Sequence, residues 1–476
     1  MTSVNTKSAT HDMADANNTI AAEDMISARI DRLPATRAVW TLVVLLSMGG
    51  FFEIYELLST AYIAPGMIKS GILSASTAKL FGLNGLAAFI AANFAGLFVG
   101  TCVIGSVADR FGRRSVFTFA LLWYSIAAAV MAFQNDAQSL LFWRFMVGIG
   151  LGLELVTIDA YLSEMVPRHI RGRAFAVSTS IQFLAGPTVA LMAWLLVPLQ
   201  VFGIDGWRWV VLAGAFGALP IWAIRKGLPE SPRWLAASGK VDRAQKIVAL
   251  LEKKVAAESG KPLPPAQPVR RIAEQKKSGF KELWTRKYAP RTTMLVLFHV
   301  FQSIGVYGFV NWAPTFLVKQ GITLTTSLSY TLAIAIAMPV GPALAIFFAD
   351  KLERKWQMVI SAFVLAIAGL IFGHTLNPII IVSSGIVMTL AAAILAYNFH
   401  AYQAELYPTS IRAMAVGFVY SWSRLSGALG GFLVAFTLHG YGVSGVFILI
   451  ASCMGMVMLA IGFLGPKTKD LALESI

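Results

Sequence analysis

The sequence predicts an all-α membrane protein of twelve transmembrane helices, arranged as two pseudo-symmetric six-helix bundles. Three observations lead there. Hydrophobic residues make up 57% of the 476-residue chain and charged residues only 13%, too apolar a balance for a protein whose whole surface meets water. The apolar residues gather into twelve runs of about 20 residues or more, the length that crosses a hydrocarbon core. Charged motifs beside the first six runs return, at one constant offset, beside the second six.

Six runs precede residue 227: Ala38–Gly66, Asn84–Val107, Ser115–Phe133, Ser139–Met165, Ala174–Val201 and Trp207–Lys226. Six more follow a polar central segment: Arg291–Val318, Ser327–Ala349, Trp356–Thr375, Pro378–Ala404, Ile411–Leu438 and Val443–Leu464. Backbone groups inside a bilayer must bond internally, so runs of this length are helices. Gly186-Pro187 in the fifth predicts a kink.

The net charge of +15 is topological rather than a sign of a nucleic-acid partner. Arg110, Arg113, Arg114, Arg168, Arg171, Arg173, Lys351, Arg354, Lys355 and Arg412 fall on one side, with both termini and the central segment. The opposite loops hold only Lys69, Lys79, Arg208 and Lys319. The positive-inside rule places the first side in the cytoplasm of a cell-membrane protein.

The repeat divides the chain. Asp109 and Arg110 return as Asp350 and Lys351, 241 positions later; Glu164, Pro167 and Arg171 return as Glu405, Pro408 and Arg412 at the same interval. Expected domains are a polar, disordered tail (1–37), a first bundle (38–226), a linker (227–289), a second bundle (290–465) and a short tail (466–476). The first tail lacks the apolar core of a signal peptide. In the linker, Val241, Ile247, Leu250 and Leu251 share a face and predict a short amphipathic helix. Duplicated six-helix halves with a site between them near mid-membrane are a transporter architecture.

Four motifs sharpen this reading. They are Gly105-x3-Asp109-Arg110-x-Gly112-Arg113-Arg114 between the second and third spans, Pro229-Glu230-Ser231-Pro232-Arg233-Trp234-Leu235 after the sixth, Glu164-x2-Pro167-x3-Arg171-Gly172-Arg173, and Glu405-x2-Pro408-x3-Arg412. With them the chain resembles the major facilitator superfamily over nearly its whole length, in its sugar-porter-like branch. The seventh span carries Gln302 without the paired glutamine of sugar porters. Its Tyr307-Gly308-Phe309-x2-Trp312-x-Pro314 pattern, with Phe52-Glu53-x2-Glu56 in the first span, looks more like the niacin and aromatic-acid proton symporters.

Ionisable groups at bilayer depth cost about 2.5–3.5 kcal/mol each by insertion scales, so they are functional candidates by default. Glu53 and Glu56 lie three residues apart on one helical face, where two carboxylates in low dielectric cannot both ionise cheaply; one could load a proton. Arg144, Glu154 and Asp159 occupy the fourth span. Arg144-x3-Gly148-x3-Gly152 resembles the superfamily motif in which small residues bring helices together and the arginine assists proton coupling. Glu154 and Asp159, about 140° apart around the helix, cannot share one target. Arg424 stands alone among Lys and Arg deep in the second bundle, and a guanidinium suits a carboxylate better than a hydroxyl. Gln302, Tyr307, Asn311, Trp312, Asn398 and Trp422 complete the candidate substrate contacts.

The resemblance also implies a cytoplasmic gate built from Asp109, Arg113, Arg114, Glu164, Arg171, Glu230, Arg233, Asp350, Arg354, Glu405 and Arg412. Arg113 or Arg114, with Arg412, would meet Glu164; Arg354 and Arg171 would meet Glu405. Cys102 and Cys453 lie in apolar runs and offer no disulfide framework. No nucleophile–base pair, metal-ligand spacing or nucleotide loop is present, so neither enzyme activity nor a cofactor is expected. The expected function is proton-coupled import of a small organic anion by a monomer in the lipid bilayer, with a sugar porter, an organic-cation carrier or a non-transporting nutrient sensor as rivals.

Overall fold

The computed structural model describes residues 22–73, 79–80, 83–102, 111–225, 227–267, 280–348, 352–407 and 409–467. The predicted gate residues Asp109 and Asp350 lie outside them, as does the side chain of Arg412. A short helix, α1 (residues 22–31), precedes the first bundle. That bundle comprises α2 (Arg37–Lys69), α3 (Gly85–Cys102), α4 (Arg113–Ala132), α5 (Ala137–Met165), α6 (Arg171–Phe183) with α7 (Ala185–Leu196), and α8 (Gly206–Arg225). The linker forms α9 (Pro232–Ala237) and α10 (Val241–Ser259). The second bundle contains α11 (Ala289–Val310) with α12 (Ala313–Lys319), α13 (Leu324–Ala335) with α14 (Val340–Phe348), α15 (Arg354–Gly373), α16 (Pro378–Glu405) and α17 (Thr409–Leu459). Gly442, at φ 67°, breaks α17 into the last two spans. Lys79–Leu80 paired with Leu83–Asn84, and Gln200–Val201 paired with Ile204–Asp205, are the only strands among the described residues.

Three spans are each built from two helices, the fifth near the kink expected at Gly186-Pro187, for one reason. Proline has no N–H to bond the carbonyl four residues back, and its ring crowds that carbonyl. Four residues before Pro187, Pro314 and Pro339 stand Phe183, Val310 and Ala335, the last residues of α6, α11 and α13. Pro65 and Pro220 are carried inside helices that continue past them.

Helix starts follow local chemistry. Asp136 accepts a 2.8 Å bond from Ser139 N at the start of α5. Ser231 accepts from Trp234 N at 3.1 Å, with Pro232 in the first turn of α9. Glycines set the closest contact between spans. A Cβ on Gly96 would lie 2.2 Å from Phe145 O, and one on Gly148 would lie 2.3 Å from Asn93 O. Only bare Cα atoms let α3 and α5 approach so near.

The amino-terminal segment departs from expectation. Residues 22–31, placed by composition in a disordered tail, fold into α1, whose Ile26 and Ile30 pack with Trp234, Leu235, Ala244 and Val248 of the linker. Arg29 and Arg32 both reach Glu252 at 2.6 Å, and Arg233 reaches Asp31 at 2.7 Å. This docking turns α10. Its buried residues are Ala244, Val248 and Val255, while Leu250, expected on the apolar face, is 62% exposed.

Candidate functional site

Ionisable groups lie within the spans of both halves, and α3 of the first half packs against α17 of the second. In the first half Glu56 and Arg144 are both buried, and Arg144 Nη1 donates to Glu56 Oε1 at 2.6 Å. Arg144 Nη2 also donates to Glu56 O at 3.1 Å and to the Thr60 hydroxyl, one turn along α2. The guanidinium lies 5.1 Å from the centre of the Phe89 ring. The α3–α5 approach brings Phe89 against it.

Glu53, one turn before Glu56, is buried, and its charge acts on Arg424 in the opposite half. Glu154 is fully buried in α5, whereas Asp159 is exposed, as their angular separation requires. Asp159 nevertheless acts electrostatically on Tyr420 of α17, so it faces the second half. Glu53 acts on Tyr420 as well. Two carboxylates from the first half thus bracket one arginine–tyrosine pair.

Arg424 is 1% exposed. Its Nη2 donates to Tyr420 OH at 3.2 Å, its Nη1 reaches Tyr307 OH at 3.5 Å, and its guanidinium lies 4.9 Å from the Tyr420 ring centre. Among the described residues it makes no ion pair, and its Nε has no hydrogen-bond partner. Next to it His299 pairs through Nε2 with Gln403 Oε1 at 3.1 Å and packs edge-on against Tyr420. His400 lies within electrostatic reach of Arg424 and is exposed, like Asp159. Both exposed groups sit toward the linker end of their spans.

On the other side of Arg424 the halves close on apolar and small residues. Phe94 of α3 packs edge-on against Tyr307 at 4.8 Å, and a Cβ on Gly427 would fall 2.6 Å from the Phe94 ring. A Cβ on Gly186 would fall 2.3 Å from Met338 Sδ. These contacts between the halves are apolar, while charge acts across them from Glu53 on Arg424 and from Asp159 on Tyr420.

The expected substrate contacts divide. Tyr307, Asn311 and Trp312 border, with Gly427 and Gly430, a crevice too narrow for water. Trp312 stacks on Phe316, and the Gln302 amide oxygen accepts from Ser303 at 3.4 Å. Asn398 is turned away: its amide donates to Gln357 at 3.2 Å and to Ile394 O at 2.9 Å, tying α16 to α15. Trp422 is two residues from Arg424, about 200° around the helix, and packs with Phe418. Tyr420 and Thr60 are site residues that motif reading passed over. Each stands four residues from a buried charged residue, and that spacing could have found them.

At the linker end two ion pairs occupy equivalent places in the two halves. Arg113 Nε meets Glu164 at 3.2 Å, and Arg354 Nε meets Glu405 at 2.9 Å. Glu230 accepts from the backbone N–H groups of Arg114 and Ser231, each at 3.0 Å, and so caps α4. Gly112, at φ 98°, allows this because a Cβ there would lie 2.5 Å from Glu230 Oε2. The expected Arg171–Glu405 contact is not among those formed. Arg171 lies in the field of Arg233, Asp31 and Arg168, drawn together by the docking of α1.

Residues 42–476 match the family model described as sugar (and other) transporter. A Bacillus subtilis protein named for metabolite transport, YyaJ, is 31% identical over 442 residues, which cover 93% of this chain and 95% of that one. The niacin transporter NiaP of Acinetobacter baylyi is 29% identical, covering 95% of this chain and 99% of that protein. Among solved structures, the xylose transporter XylE of E. coli, in a partially occluded inward-open conformation, aligns with a TM-score of 0.72 at 19% identity, over 91% of this chain and 99% of that one.

Proposed function

The chain belongs to the family of sugar (and other) transporters, within the major facilitator superfamily, and from that premise we propose that it is a proton-coupled symporter importing a small organic anion, an aromatic or heterocyclic carboxylate of the niacin kind. It is a multi-pass membrane protein and not an enzyme. The observation that carries the proposal is Arg424, buried without an ion pair and with its Nε unbonded. A buried cation held by two tyrosine hydroxyls and by the charge of Glu53, which acts on it without an ion pair, is costly, and an incoming carboxylate supplies a directly paired charge and a bidentate acceptor. Tyr307 and Tyr420 provide hydroxyls for the same anion and faces for a planar ring. The 29% identical niacin transporter supports this substrate class.

Glu53 or Glu56 is the proton carrier of this reading. Protonating Glu56 would dissolve its pair with Arg144, and protonating Glu53 would change the charge facing Arg424 and its anion. Each event links proton occupancy to the balance between the two halves. With the linker end cytoplasmic, Asp159 and His400 lie on the exit path. The Arg113–Glu164 and Arg354–Glu405 pairs, with Glu230 and Arg233, then set how readily the halves part at that end. Each pair contributes about 0–1 kcal/mol, enough together to bias two states of similar energy.

A second reading is a sugar porter. Pro229–Leu235 and the fold shared with a xylose transporter favour it. Uptake into proteoliposomes with an imposed pH gradient separates the two: accumulation of nicotinate that sugars do not inhibit supports the carboxylate, and accumulation of a pentose or hexose instead would overturn it.

A further inference from the structure

A polar cavity of about 450 Å³ lies where α4 and α8 meet the linker, lined by none of the residues around Arg424. We propose that it binds the phosphate of an anionic membrane phospholipid, seated among Arg114, Lys240 and Arg243. Among the described residues three cations line it against one carboxylate, Glu230. That carboxylate is already engaged, capping α4 through the N–H groups of Arg114 and Ser231. Lys240 Nζ lies 5.1 Å from the centre of the Trp234 ring, in the cavity wall.

The surroundings select a lipid over a soluble anion. Phe119, which lines the cavity, begins a stripe on α4 that continues through Trp123 and Ile126, at 55%, 39% and 53% exposure. Spacings of four and three residues put these on one helical face. Phe216 and Leu219 of the adjacent α8 are exposed alongside, at 57% and 39%. In a spanning helix such a surface meets acyl chains. The cavity lies at its end, where the chain turns to polar linker and Trp222 and Trp234 line it, tryptophan being a residue that membrane interfaces favour. One molecule can therefore lay its tails along α4 and α8 and its phosphate among the bases. A phosphate so held would bridge the start of α4 to the start of α10, bracing the Arg113–Arg114 turn against the linker. Nothing in this inference depends on the transported substrate.

The test uses the full-length protein in neutral detergent, titrated separately with phosphatidylglycerol, phosphatidylcholine, glycerol 3-phosphate and inorganic phosphate. Retention of lipid is read by native mass spectrometry and stabilisation by thermal unfolding. The variants are Lys240→Gln and Arg243→Gln, both exposed positions whose loss leaves the core intact, with Lys246→Gln and Lys253→Gln as controls of equal charge change on the same helix. Phosphatidylglycerol should be retained and should stabilise, with binding weakened about fivefold for each of Lys240 and Arg243 removed and unchanged in the controls. Equal weakening in the controls would reduce the effect to diffuse attraction and overturn the site. Equal retention of phosphatidylcholine would do the same. Stabilisation by inorganic phosphate or glycerol 3-phosphate to the level of the lipid would assign the cavity to a soluble anion.

Discussion

Arg144 reaches across from α5 to place Nη1 2.6 Å from Glu56 Oε1 of α2, with both side chains closed off from solvent. Removing one partner strands the other. Glu56→Ala is expected to destabilise the protein by about 3–5 kcal/mol, the range for breaking a buried pair, and to abolish uptake driven by a pH gradient. Glu56→Gln with Arg144→Met should recover most of that stability, since no charge is left unpaired, yet remain uncoupled. Thermal unfolding and proteoliposome uptake on the same preparations separate the two effects. A coupled double variant would contradict a role for the pair in proton coupling.

Gly148 faces the α3 backbone so closely that any side chain must displace it. Gly148→Ala should cost about 1–3 kcal/mol by overpacking, and Gly148→Leu should cost more. The same substitution at Gly172, where a Cβ meets nothing within 4 Å, should cost no more than about 0.5 kcal/mol. Unfolding midpoints of the three variants provide the comparison.

These two predictions stand on different kinds of legibility. The twelve spans could be read from hydropathy alone, whereas the pairs Arg113–Glu164 and Arg354–Glu405 were expected, with Arg114 as the alternative to Arg113, only through the family resemblance. Proline positions held the information for the breaks after Val310 and Ala335, though their apolar surroundings hid it. The Glu56–Arg144 pair was legible only as two costly residues, because 88 positions separate them and no local pattern records which helices touch. Asn398 shows the converse. Its depth marked it as a candidate, but which way its side chain turns depends on Gln357 of a neighbouring helix. Helix α1 was hidden by its polar composition, since Ile26 and Ile30 become a buried face only when α9 and α10 are present.

The clasp of α1 predicts a pH dependence. Burial alone would raise the Glu252 carboxyl, but hydrogen bonds and charge from Arg29 and Arg32 outweigh it and hold the group below its ordinary value of 4.5. A lowered carboxyl contributes stability that is complete above the ordinary value and is lost as pH falls through the lowered one. Hydrogen exchange of residues 22–31 should stay slow from neutrality down to about pH 4.5 and rise only below it. Glu252→Gln should exchange fast already at neutral pH. Loss of protection between pH 7 and 6 in the unaltered protein would assign the clasp to another group.

The pairs at the linker end predict a kinetic effect. Arg113→Ala and Arg354→Ala should change the rate of uptake several-fold while leaving equilibrium binding of the substrate near its original value, because neither residue approaches Arg424. Binding by isothermal titration beside initial uptake rates checks this. An affinity loss as large as the rate change would place these residues in the binding site.

The central claim is that a carboxylate substrate neutralises Arg424 and moves with protons. Its most direct measurement is accumulation of labelled nicotinate by proteoliposomes under an inward proton gradient, comparing the unaltered protein with Arg424→Ala and Arg424→Lys. The account predicts gradient-driven accumulation, abolished by an uncoupler, lost in Arg424→Ala and only partly restored by lysine, which lacks the bidentate fork. Accumulation that persists in Arg424→Ala, or that is indifferent to collapse of the gradient, would contradict it.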